Sequence, residues 1–334
     1  MMNMPFVTVI MPIRNEEAYI EKSLGSVLAQ DYPPDRMEII IADGMSTDQT
    51  RDIIRSYQQQ HSNIVLIDNP QQIVPTGFNR AVKQAKGEVI VRVDGHCEIP
   101  LNYIQTCVKQ LAETKADCVG GTLNTIGETR MAKAIAAAQS SPFGVGGVSF
   151  RVGSNKGKYV DTLAFGAYHR DVFDRIGLFD EELVRNQDDE FNFRLIQAGG
   201  KIWLDPSIKS IYYSRASLRT LWKQYYQYGL YKVRVIQKRG QIPSWRHLVP
   251  VCFVVGLIVT LSGFVITQHI GWLVPVVIPY VIANLITSII IARQQWGSLF
   301  WLPLIFFVLH FSYGWGFLVG LWKWRHYFGA TKRS

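Results

Sequence analysis

The chain has 334 residues, 48% of them hydrophobic and 18% charged, with a formal net charge of +9. That charge is uneven: residues 1–205 hold 21 Lys and Arg against 26 Asp and Glu, whereas the remaining 129 hold 14 Lys and Arg and no acid. The split excludes a uniformly basic nucleic-acid binder, the apolar content excludes a disordered chain, and four cysteines without metal-ligand spacing exclude a disulfide scaffold.

Residues 6–11 read as a buried strand and not as a signal peptide, since no basic stretch or long apolar core surrounds them. A helix is expected over 16–30, a strand over 37–42 and a helix over 47–59 after the Asp43-Gly44 turn. Strands over 63–67 and 89–93 then flank a helix over 75–86. Short Val/Ile-rich runs alternating with amphipathic stretches indicate an α/β domain with a mostly parallel sheet covered by helices. Such sheets bind ligands outside the carboxyl ends of their strands. The segments there are Pro12-Ile13-Arg14-Asn15-Glu16, Asp43-Gly44-Met45-Ser46-Thr47-Asp48 and Asp94-Gly95-His96. Three acidic strand ends at one edge are more than solvation asks for.

Over residues 215–239, seven Lys and Arg interleave with Trp222, Tyr225, Tyr226, Tyr228 and Tyr231. This composition suits a helix in the headgroup layer against anionic lipids; a solvated basic helix on the soluble domain shares it. Three apolar runs follow, 248–267, 272–292 and 299–322, each free of Asp, Glu, Lys and Arg. At about 1.5 Å per residue each reaches across a hydrocarbon core of roughly 30 Å. Asn284 and His310 inside these runs read as helix-packing groups. The expected organisation is a domain over 1–213, an interfacial helix over 214–240 and a membrane region over 241–334. The positive-inside rule puts Arg239 and Arg246 in the cytoplasm. Three crossings would then place Lys323, Arg325, Lys332 and Arg333 outside, against the same rule, unless one run is re-entrant.

The segment Met11-Pro12-Ile13-Arg14-Asn15-Glu16-Glu17 resembles the P-x-x-N-E opening of family 2 inverting glycosyltransferases with the GT-A fold. Asp43-Gly44-Met45-Ser46-Thr47-Asp48-Gln49-Thr50 is similar to that family's D-[DG]-x-S-x-D-x-T, and the resemblance spans about residues 5–205. The tail resembles the bacterial exopolysaccharide branch, notably succinoglycan-type glucosyltransferases. The resemblance implies that Asp43 contacts the nucleotide base while Pro12, Arg14 and Glu16 line its pocket. It matches Asp94-Gly95-His96 to the family's D-x-D, which holds a divalent cation, Mn²⁺ or Mg²⁺, under the leaving diphosphate. Asp94 is then a metal or ribose ligand, and His96 either a second metal ligand, suited to Mn²⁺ better than Mg²⁺, or a hydrogen bonder to phosphate.

Asn186-Gln187-Asp188-Asp189-Glu190-Phe191-Asn192-Phe193-Arg194 is similar to the family's E-D-x-D-[LF]-x-x-R helix, after Gly177-Leu178-Phe179-Asp180-Glu181, which resembles G-x-F-D-E. It departs at Gln187, where the family has Glu, and at Glu190, where it has Asp. Asp188 falls at the catalytic base, which must take the acceptor hydroxyl's proton. Gln187 leaves one charge fewer beside it and is a candidate acceptor contact. Residues 140–159 hold five glycines with Arg151, Lys156 and Lys158, and read either as a flap meeting a lipid phosphate or as a surface loop. Gln227-Tyr228-Gly229-Leu230-Tyr231 stands where processive synthases carry Q-x-x-R-W, and its lack of Arg-Trp argues against a polymer-extruding synthase.

These features imply a multi-pass inner-membrane glycosyltransferase with its catalytic domain in the cytoplasm. It would move a sugar from a UDP-sugar, UDP-glucose among them, to a polyprenyl-diphosphate-linked saccharide. Two other readings are transfer to a polyprenyl monophosphate and a non-catalytic assembly protein that keeps nucleotide binding.

Overall fold

The computed structural model describes residues 4–293 and 296–327. Lys332 and Arg333, two of the four cations at the C-terminal end, lie outside them. Strands β1 (Val7–Ile13), β2 (Met37–Asp43), β3 (Ile64–Asp68) and β4 (Val89–Arg92) pair in parallel in the order β3-β2-β1-β4. Helices α1 (Ile20–Leu28), α2 (Thr50–Gln58) and α3 (Val74–Gln84) form the crossovers. Every residue of β1, β2 and β4 is buried, which is why these strands read as continuous apolar runs without alternation.

Beyond β4 the sheet changes character. It continues through β8 (Ala167–His169), β6 (Cys118–Ile126), β9 (Ile202–Tyr213) and β5 (Cys97–Glu98), and β7 (Lys158–Tyr159) also pairs with β9. The pairs β4–β8, β6–β8, β5–β9 and β7–β9 are antiparallel, so the sheet is parallel in one half and mixed overall. Three of these strands are two or three residues long and carry no periodicity to read. Helix α4 (Tyr103–Thr114) precedes β6, and α8 (Asp171–Ile176) and α9 (Gln187–Gln197) precede β9. Among the described residues the four cysteines are free, three of them buried.

The chain divides into two compact units, 1–124 with 152–212, and 125–151 with 213–334. Residues 125–151 therefore belong with the tail, although they interrupt the α/β unit in sequence. They carry α5 (Arg130–Gln139), α6 (Pro142–Val145) and most of α7 (Ser149–Val152). The 140–159 segment is thus helical in its first half, and it is divided: Arg151 falls in the second unit, Lys156 and Lys158 in the first.

The second unit adds α10 (Leu218–Arg239), α11 (Val249–Thr267), α12 (Val277–Ala292) and α13 (Leu302–Lys323). Ala134, Ile135 and Ala138 of α5 pack with Leu221 and Tyr225 of α10 and with Leu302, Ile305, Phe306 and Leu309 of α13. Helix α10 runs alongside α13 in the same direction, backbone against backbone. A Cβ on Gly229 would lie 1.9 Å from the Tyr313 carbonyl oxygen, and one on Gly316 2.1 Å from that of Tyr226. Small residues at such crossings are a device of helices that associate without water. Near the start of α11, the Pro250 carbonyl meets Gly314, and Leu248 and Val251 pack on the cluster of Phe317 and Trp324. Arg246 and Lys323 thus lie toward the same end of the α11–α13 pair.

Both polar groups of the apolar runs bind neighbouring helices. Asn284 Nδ2 donates to the Pro303 carbonyl at 3.0 Å. His310 Nε2 lies 2.8 Å from the Phe143 carbonyl and Nδ1 3.1 Å from the Tyr280 hydroxyl. A carbonyl only accepts, so Nε2 carries the proton and Nδ1 accepts from Tyr280. By length and composition α11 and α13 are able to cross a membrane, whereas α12, at 16 residues, is shorter than the expected 272–292 run. Half of α13's apolar stretch is buried inside the unit, so part of its hydropathy serves packing.

Candidate active site

The loops after β1 and β2 bind one another through the polar residues of their two motifs. Asn15, at φ 52°, donates its N–H to Ser46 Oγ (2.8 Å), and its Oδ1 accepts from the Thr47 N–H (2.9 Å). The Glu16 N–H donates to Thr50 Oγ1 at 2.8 Å and the Glu17 N–H to Asp48 Oδ2 at 3.2 Å. Glu17 returns the favour, accepting from the Gln49 N–H at 3.1 Å. Asn15, Ser46, Asp48 and Thr50 are therefore the fasteners of the edge, a role the motif reading did not assign to them.

Asp43 ends β2 with no exposed surface. Its Oδ1 accepts from Ser46 Oγ at 2.5 Å and its Oδ2 from Arg51 Nη1 at 2.6 Å, while Arg51 Nη2 reaches Asp68 at the end of β3. This carboxylate is thus pinned by its own protein. Pro12 is buried in β1, and Arg14 is exposed just beyond it.

The third loop follows β4. Arg92 Nε and Nη2 donate to the two oxygens of Asp94 at 2.8 and 3.2 Å. A Cβ on Gly95 would stand 2.8 Å from Glu16 Cγ and 2.9 Å from Ile13 Cγ2, so only glycine lets the loops after β1 and β4 close up. The Glu16 carboxylate then meets His96, with Oε1 2.8 Å from Nδ1, and the imidazole stands edge-on to Tyr212 at 5.2 Å.

Asp188 lies in the first turn of α9, entered through Asn186 in the left-handed conformation (φ 62°). Its Oδ1 accepts from the Asp189 N–H at 2.9 Å, and Oδ2 stands 4.0 Å from Arg92 Nη1. Burial raises the Asp188 carboxyl above the ordinary aspartate range, Arg92 opposes this, and Asp189 adds to it. The side chain nevertheless keeps 31% of its exposure, enough for a reactant to reach it. Gln187 is buried, and its Oε1 has no hydrogen-bond donor.

The rest of the helix motif is structural. Glu190, wholly buried, takes Arg194 Nε and Nη2 on its two oxygens at 3.0 and 3.1 Å. Arg194 also donates to the carbonyls of Ile176 and Leu178, fastening α9 to the loop before it. Asn79 of α3 brackets Phe179 through its N–H and carbonyl, and Phe179 stacks on Phe78 at 4.5 Å.

The structure thus gathers Glu16, Asp94, His96 and Asp188 into one cluster, with Asp43 at the end of the neighbouring β2. Lys156 and Lys158 are exposed and take no part in these contacts. The group that joins the cluster, Arg92, went unread; a cation inside the apolar run Val89-Ile90-Val91-Arg92-Val93 was its signal.

Among the described residues no three His, Cys, Asp or Glu side chains converge on a metal position. A divalent cation carried largely by substrate phosphates needs only one or two protein ligands, and Asp94 and His96 have the chemistry to serve as such. The Glu16–His96 pair fits that task. A carboxylate on Nδ1 holds the proton there and leaves the Nε2 lone pair for a metal, the usual second layer of a metal-binding histidine.

Residues 8–177 match the family model described as Glycosyl transferase family 2. The chain is 31% identical over 328 residues to the dolichyl N-acetyl-alpha-D-glucosaminyl phosphate 3-beta-D-2,3-diacetamido-2,3-dideoxy-beta-D-glucuronosyltransferase of Methanococcus voltae, covering 96% of this chain and 98% of that protein. It is 32% identical over 244 residues to the succinoglycan biosynthesis protein ExoA of Rhizobium meliloti, with 72% and 73% covered. The mannosyltransferase PcManGT from Pyrobaculum calidifontis, solved in complex with GDP-Man and Mn²⁺, has a similar fold. Its TM-score is 0.64 at 18% identity, covering 96% of this chain and 88% of that one.

Proposed function

The chain belongs to glycosyltransferase family 2, with a GT-A-like fold, and on that premise we propose an inverting transfer of a sugar from a UDP-sugar, UDP-glucose among the candidates, to a lipid-linked saccharide. The observation that carries this reading is Asp188: a carboxylate at the mouth of α9, partly open, opposite the Arg92–Asp94 pair.

Pro12, Arg14, Glu16 and Asp43 are assigned to the nucleotide side. Arg14 is the exposed cation there, and Asp43 acts by holding the loop through Ser46 and Arg51. Asp94 and His96 would hold a divalent cation, which when bound neutralises the leaving diphosphate. Asp188 accepts the proton of the acceptor hydroxyl as the oxygen attacks the anomeric carbon, and a single displacement inverts that centre. Gln187 Oε1, buried and lacking a donor, is suited to accept a hydrogen bond from a substrate hydroxyl. The Gln187 departure therefore places a neutral acceptor beside the base.

The Methanococcus relative is named for a sugar carried on dolichyl phosphate, and ExoA for succinoglycan biosynthesis. The first name supports a polyprenyl-linked acceptor, whose phosphate number a product mass would read. Exposed Val255, Ile258, Val259, Ile266, Leu304 and Phe307 on α11 and α13 are assigned to lipid. The catalytic unit then faces the cytoplasm. Arg246 and Lys323 toward one end of the α11–α13 pair satisfy the positive-inside rule if α12 is re-entrant.

The test is to incubate membranes holding the protein with radiolabelled UDP- and GDP-sugars and extract the lipid fraction. Label entering lipid-linked saccharide from a UDP-sugar, with the anomeric configuration inverted by NMR, is the expected result. Label from GDP-sugars alone would overturn the donor assignment, and retention would overturn the single displacement.

A further inference from the structure

Arg92 is a cation at the end of a buried central strand, 5% exposed. Two of its three nitrogens are committed to Asp94. The third, Nη1, is buried with no hydrogen-bond partner and faces Asp188 Oδ2 from 4.0 Å. The guanidinium also lies 5.9 Å from the centre of the Phe165 ring, an apolar wall that offers no acceptor. A buried charged donor left unmatched is costly, and such groups mark places where something else completes the bond. The separation is only about 1 Å beyond hydrogen-bonding range. Asp188 sits on the first turn of α9 with its side chain 31% exposed.

We propose that Arg92 is a positioning residue that couples the donor half of the site to the base: its fork sets Asp94, and its Nη1 bonds Asp188 and fixes the attacking orientation when both substrates are bound. The guanidinium stays protonated throughout and no bond to it forms or breaks. Lysine cannot replace it, because one ammonium lacks the fixed spread needed to serve two carboxylates at once. This inference rests on the glycosyl-transfer reading with Asp188 as base.

The experiment compares Arg92→Lys, Arg92→Met and Asp188→Asn in the full-length protein purified in detergent. For each, the affinity for UDP with Mn²⁺ is measured by calorimetry, kcat and the acceptor KM by label transfer, and folding by thermal melting. Coupling predicts that Arg92→Lys melts near the wild type, binds UDP more weakly and loses about 10²-fold in kcat at unchanged acceptor KM, the scale of a 1 Å misplacement. Arg92→Met should lose more; if it fails to fold, Arg92→Lys decides. Weakened UDP binding with kcat within twofold of wild type would confine Arg92 to Asp94 and overturn the coupling. So would unchanged kcat in both Arg92 variants beside an inactive Asp188→Asn, which leaves the base assignment standing. A fully active Asp188→Asn would sink the base assignment and the coupling with it.

Discussion

The two units neutralise charge in opposite ways. In the α/β unit nearly every carboxylate of the site has a cation or hydroxyl of its own: Asp43 has Arg51 and Ser46, Asp94 has Arg92, Glu190 has Arg194. The second unit has a single acid, Glu128, and no carboxylate follows Asp205, so several of its cations turn to rings and carbonyls. Arg234 stands over Tyr327 at 4.2 Å, Lys323 over Trp324 at 5.2 Å, and Arg325 over Trp322 at 4.8 Å while donating to the Trp322 carbonyl. Pairing by opposite charge fixes groups to within a hydrogen bond, as a reaction needs. Packing by ring and glycine spares the cost of burying ions, as apolar helices need.

The comparison breaks most visibly at Asp188. Asp188→Asn should lower label transfer by about 10²–10⁴-fold while leaving UDP binding intact, because a base is lost and no donor contact is. The same residue predicts the acid limb of the rate profile. A carboxyl raised by burial is protonated at mildly acidic pH where a free aspartate is still ionised, so kcat should fall as pH drops through a value above the ordinary range near 4. A limb at or below that range would contradict the burial effect.

Stability separates the two units next. Glu190→Ala strands Arg194 among carbonyls and should cost about 3–5 kcal/mol in a thermal or denaturant melt. Gly316→Val, which forces two helix backbones apart, should cost about 1–3 kcal/mol and act on the second unit. Arg55→Gln removes an exposed Asp52 pair, and its melting curve should overlay the wild type.

Local structure is legible in this sequence. The four parallel strands and their crossovers lie within a few residues of the expected bounds, because buried Val/Ile runs and amphipathic stretches carry their own period. No such period marks β5, β7 and β8, which exist only by pairing with distant strands. Within the middle apolar run the α-helix begins only at Val277, after the turn that holds Pro275. In the candidate site the motifs name acids at one edge of the sheet, but which carboxylate is pinned and which is open depends on Arg51, Arg92 and Arg194. A motif gives the acids; only the fold shows where each arginine goes.

The placement of residues 125–151 has a consequence for how the protein is made. Helix α5 is synthesised before β7, β8 and β9 complete the sheet, yet Ala134, Ile135 and Ala138 pack on residues of α10 and α13, and α13 leaves the ribosome last of all the helices described. At about 5–20 residues per second the apolar face of α5 waits on the order of ten seconds or more for its partner. Cutting the chain after residue 213 would make the wait permanent, so a truncated enzyme should aggregate unless α5 to α7 are removed with the tail.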